Sequence, residues 1–129
     1  MVQKIKEEIS KHVKSHSHAW NGVYLIIISQ LNFRIELFIG IAVVLAGFYF
    51  HISLIEWYGV IFSSTLVLLA ESLNSAIEKA CDAITTKHHG AIKYAKDVAA
   101  GAVLVSVAAA IVIGFFVFGP YIIPLLPKK

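Results

Sequence analysis

The chain has 129 residues, 58% of them hydrophobic and 15% charged, with a net charge of +3. A soluble domain this small is seldom so apolar, so the composition points to a membrane class. The charge is too small and scattered for nucleic-acid binding, and a lone cysteine, Cys81, excludes an intramolecular disulfide.

Residues 1–18 are polar, with Lys4, Lys6, Lys11 and Lys14, while Ile5, Ile9 and Val13 recur every four residues. That pattern suits a helix in the headgroup region with its lysines toward anionic lipid. The stretch has no long apolar core, so no cleavable signal peptide is expected. His12 and His16 are one turn apart, but no carboxylate or cysteine nearby completes a metal set, and solvated histidines are the better reading. Residues 19–31 are apolar but short of the ~20 that cross a bilayer. Trp20, Gly22 and Tyr24 suit an interfacial segment. Residues 4–29 are therefore read as an amphipathic surface helix, bent near Gly22.

The first span is expected over 32–50. Arg34 and Glu36 in its first turns either snorkel or point into an assembly. The second span is expected over 55–84, the third over 92–118, and Lys96 and Asp97 are read at the start of the third. Ala102, Ser106, Ala110 and Gly114 recur every four residues there, a face suited to tight helix packing. Gly119, Pro120, Pro124 and Pro127 are expected to end it. The 51–56 connection carries no Lys or Arg, whereas the N-terminal stretch and residues 79–96 hold most of them. The positive-inside rule then puts the N terminus and the 85–93 loop in the cytoplasm, with Lys128 and Lys129 against the rule. The whole chain, 1–129, is expected to form a single membrane domain.

Everything is organised around Glu71 to Asp82. Glu71, Asn74, Ser75, Glu78 and Asp82 fall at helical spacings of three and four, so a helix puts them on one face. Leu73, Ile77 and Ala80 keep the other side apolar. Carboxylates are costly in hydrocarbon, roughly 2.5–3.5 kcal/mol each on insertion scales. The stripe therefore faces a protein interior, an aqueous cavity or a cation, or else it marks where the helix emerges into water.

These residues carry a resemblance. Glu71-x-x-Asn74-Ser75-Ala76-Ile77-Glu78, then Asp82, then Ala95-Lys96-Asp97-Val98-Ala99-Ala100-Gly101-Ala102-Val103, resembles the prokaryotic diacylglycerol kinase family, which includes undecaprenol kinases. Asn32-Phe33-Arg34-Ile35 is similar to another signature of that family. The resemblance covers nearly the whole chain. It implies an all-α integral membrane fold with three transmembrane helices and a surface helix. It also implies a homotrimer with sites shared between subunits, in the bacterial inner membrane. The implied activity is ATP- and Mg²⁺-dependent phosphorylation of a lipid alcohol, diacylglycerol or undecaprenol, at the cytoplasmic face. No Walker A motif or soluble-kinase signature is present, so the kinase reading comes from the resemblance alone.

Carried over by residue, Glu71 matches the catalytic base and Asn74 a residue near the transferring phosphate. Glu78 matches a metal- and nucleotide-binding carboxylate, and Lys96 and Asp97 match nucleotide-site residues. An exposed helix start is the plainer account of Lys96 and Asp97, although Lys gains nothing from the helix dipole there. Gln30 departs from the pattern, because it stands where the family has a metal-binding glutamate. Lys87 stands where an acidic residue is common. Gln30 leaves a second reading open: a weakened or inactive trimeric membrane protein of the same fold.

Overall fold

The computed structural model describes residues 1–125 and 127; for residues 2, 4, 5 and 7–13 it describes the helical backbone but not the side chains. His12 and its pairing with His16 therefore lie outside the described side chains, as do Lys128 and Lys129. The described elements are α1 (Val2–Ser29), α2 (Leu31–Phe50), α3 (Leu54–Ile84) and α4 (Gly90–Ile122), followed by a 3₁₀ turn, Ile123–Leu125. Helices α2, α3 and α4 are long and apolar enough to cross a membrane. The chain divides into two compact units, Met1–Leu31 and Asn32–Lys129.

The first unit is one helix. It runs unbroken through Gly22, since one glycine costs a helix only about 1 kcal/mol. It stops at Gln30, which is extended (φ −110°, ψ 115°) and donates its N–H to Ile26 O at 3.0 Å.

The second unit is built on a hairpin of α3 and α4. Val60 and Val117 are buried between them with Ile52, and Ile113 packs against Gly59. Polar ties close both ends: Tyr121 Oη donates to Glu56 Oε2 at 2.9 Å, and Lys96 Nζ to Asp82 Oδ1 at 2.6 Å. Buried Ser63 and Ser106 satisfy their hydroxyls on their own helices, at Val60 O and Val103 O.

Helix α2 joins at the Glu56 end. It closes with a Schellman-type cap: Ile52 N–H donates to Gly47 O, His51 N–H donates to Phe48 O, and His51 takes the left-handed conformation (φ 51°). Helix α3 then starts from a capping box, in which Ser53 Oγ accepts from Glu56 N–H and Glu56 accepts from Ser53 N–H. This double punctuation makes a tight turn of residues 51–53. It seats Trp57 on Gly47 and brings Phe50 against Phe118 and Tyr121, with ring centroids 6.2 and 5.8 Å apart.

A Cβ on Gly47 would lie 2.8 Å from Trp57 Cη2 and 3.1 Å from Ile52 Cδ1. Gly47→Leu is therefore expected to lower stability by about 1–3 kcal/mol, the usual cost of overpacking. Thermal unfolding in detergent, compared with Gly40→Leu where a Cβ meets nothing within 4 Å, checks it.

One expectation needs correction. Helix α4 does not end at Gly119–Pro120 but continues to Ile122 with Pro120 inside it. The lost backbone bond is offset by the packing of Phe118 and Tyr121 on the core and by the Tyr121–Glu56 bond. Within this single chain the small-residue ladder makes no tight contact. Ala102 is exposed, and a Cβ on Gly114 would meet nothing within 4 Å. Ala110 and Gly114 instead line a cavity of about 450 Å³ among α2, α3 and α4. The close approaches are at Gly47 and Gly59.

Candidate functional site

Helix α3 has 31 residues, about 46 Å at 1.5 Å per residue, against a hydrocarbon core of about 30 Å. Counted from Leu54, Glu71 lies about 26 Å along the axis, near the far edge of that core. The rest of the stripe follows where the helix outruns the apolar layer. This explains how one helix carries both a bilayer-crossing half and a chemically loaded half.

The stripe turns inward. Glu71, Asn74 and Ser75 are 3, 7 and 5% exposed, and Cys81 is buried beside them on the same face. Glu78 is half-buried and Asp82 exposed, so burial decreases toward the helix end. The plain alternative, a helix emerging into water, therefore fails for the first turns and holds for Asp82. Asn74 Nδ2 donates to Glu78 Oε1 in a long contact of 3.5 Å, while Asn74 Oδ1 is buried with no partner. An enclosed amide oxygen without a partner is costly, and it is the kind of atom a bound group would satisfy.

Helix α2 adds a residue that the motif reading left unassigned. Glu36 is half-buried, and its Oε2 is enclosed with no partner. Of the two expectations for the charged pair on this helix, Glu36 points inward and Arg34 is exposed. A carboxylate inside an apolar span was the available signal.

Lys96 and Asp97 lie not at the start of α4 but about two turns in, because the helix begins at Gly90. Lys96 pairs with Asp82, which links α4 to the end of the stripe. Asp97 accepts from Lys93 Nζ one turn earlier. Both aspartates and both lysines line a cavity of about 330 Å³ at the α3–α4 loop, together with Lys87 and His88. Gln30 belongs to the other compact unit, at the junction of α1 and α2.

Among the described residues, no three His, Cys, Asp or Glu side chains gather as a metal site. Mg²⁺ in a phosphate site needs less, one or two carboxylates with water and phosphate oxygens, and Glu78 beside the unpartnered Asn74 Oδ1 suits that demand. A buried carboxylate, an amide, a second acid and a lysine at a membrane boundary can position a hydroxyl, take its proton and hold phosphate.

The chain is similar to known proteins over most of its length. A family model described as prokaryotic diacylglycerol kinase matches residues 17–118. The undecaprenol kinase of Bacillus subtilis is 36% identical over 115 residues, 89% of this chain and 94% of that protein. The diacylglycerol kinase of Synechocystis is 37% identical over 87% of this chain and 65% of its own length. The diacylglycerol kinase of Escherichia coli K12 is 33% identical over 78% of this chain and 82% of its own.

Proposed function

The chain belongs to the prokaryotic diacylglycerol kinase family and is a multi-pass membrane lipid kinase; from that premise we propose that it transfers the γ-phosphoryl group of ATP to diacylglycerol or undecaprenol. The reading places it in the bacterial cytoplasmic membrane with the α3–α4 loop on the cytoplasmic side, where ATP is available. The observation that supports it most is the inward-turned Glu71 and Asn74 at the level where α3 leaves the hydrocarbon. A lipid hydroxyl reaches that level from the bilayer, and a water-soluble nucleotide reaches it from the loop cavity.

In this mechanism Glu71 accepts the proton of the lipid hydroxyl as its oxygen attacks the γ-phosphorus. The bond from that phosphorus to the bridging oxygen of ADP breaks, and ADP leaves. Asn74 holds the transferring phosphoryl group through Nδ2, which donates to it, while its free Oδ1 can accept from the lipid hydroxyl. Lys96 and Asp97 hold the nucleotide. Mg²⁺, bound through Glu78 and phosphate oxygens, would neutralise charge on the phosphates. The assembly is a homotrimer in this reading, with neighbours completing each site and α1 lying on the membrane surface.

Gln30 favours a second reading, an inactive or weakened member. A glutamine offers a carbonyl oxygen but no charge, so the metal rests on Glu78, water and ATP. The kinase reading predicts lipid phosphorylation that needs high Mg²⁺, and a lower Mg²⁺ midpoint for Gln30→Glu. A Mg²⁺ titration of both forms at fixed ATP and lipid checks it. An unchanged midpoint and rate would remove residue 30 from the metal site. Lipid phosphate from neither form at any Mg²⁺ would favour the inactive reading.

A further inference from the structure

We propose that Lys93 is a second phosphate-contacting residue of the nucleotide site, acting beside Lys96; this rests on the reading of ATP as phosphoryl donor. Lys93 and Lys96 are three residues apart on α4, so they are neighbours on its surface, and both line the cavity at the α3–α4 loop. Each ammonium is held by an aspartate, Lys96 by Asp82 and Lys93 by Asp97. The second pair is the more open: its side chains are 63 and 61% exposed, against 35 and 47% for the first.

Helix formation alone does not account for Lys93. It sits four residues into α4, where the positive end of the helix dipole disfavours a cation. Its partner follows it at i+4, the poorer order for a helical acid–base pair. An exposed pair of this kind contributes little to stability and opens readily. A cation at that place is useful to an anion, which the same helix end also favours. Lys87, Lys93 and Lys96 against Asp82 and Asp97 leave the cavity one positive charge in excess. When a polyphosphate enters, Lys93 exchanges the Asp97 carboxylate for phosphate oxygens, and Asp97 is freed within the same site.

The test uses the full chain in lipid–detergent micelles and compares it with Lys93→Met and Lys93→Arg. It measures KM for ATP, KM for lipid, kcat, and inhibition by inorganic tripolyphosphate, which has phosphates but no nucleoside. For Lys93→Met, KM for ATP and the tripolyphosphate inhibition constant each rise about tenfold, equivalent to about 1.4 kcal/mol. KM for lipid and kcat at saturating ATP stay unchanged, and Lys93→Arg keeps values close to the parent. Tripolyphosphate inhibition that is unaltered in Lys93→Met overturns the proposal, even if KM for ATP shifts, because a helix-stabilising lysine would act without touching phosphate. A parent chain that makes no lipid phosphate fails at an earlier step and overturns the ATP-dependent reading itself.

Discussion

Glu71→Gln is expected to lower lipid phosphorylation by about 10²–10⁴-fold, the usual worth of a general base. The substitution keeps the shape of the side chain and removes its ability to take a proton. Glu71 is 3% exposed, and a neutral amide is cheaper to bury than a carboxylate, so the fold is not put at risk. The loss should therefore appear in kcat, with the elution volume in detergent and KM for ATP unchanged. Turnover close to that of the parent would take Glu71 out of the base role. A collapsed elution profile would instead show that its carboxylate holds α3 in place.

Glu78→Gln is expected to have an effect of similar size by another route. With Gln30 offering no charge, Glu78 is the carboxylate left to hold Mg²⁺ in the proposed site. Metal stabilisation of transferring phosphate is worth several kcal/mol, and each 1.36 kcal/mol is tenfold in rate, so a loss of about 10²–10³-fold follows. The variant keeps a side-chain oxygen that can still accept from Asn74 Nδ2. Raising Mg²⁺ should recover part of the activity in Glu78→Gln and none in Glu71→Gln. Equal recovery in both variants, or in neither, would separate Glu78 from the metal.

Much of this was legible because the signals are periodic. The apolar runs gave α2 and α3 to within a residue or two, and the three-and-four spacing placed Glu71, Asn74 and Glu78 on one inward face. Glu36 was visible as a charge in a span, but nothing local says which way such a residue turns; the packing of α2 on the hairpin decides it. Pro120 misled for a related reason. Local rules end a helix at proline, whereas here tertiary contacts of Phe118 and Tyr121 carry the helix on. The glycine that is needed, Gly47, lies opposite a tryptophan ten residues later, a pairing created by the 51–53 turn. The Lys96–Asp82 tie spans a loop, and spacing along one helix carries no information about it.

The most direct measurement supplies ATP labelled at the γ-phosphate to the purified chain in micelles, with diacylglycerol or undecaprenol and Mg²⁺. Glu71→Gln sets the background. Label passing into the organic phase as a lipid phosphate, with one of the two lipids and at least a hundredfold above that background, is the result this account predicts. Equal label in the parent and in Glu71→Gln, or none with either lipid at any Mg²⁺ concentration, would contradict it.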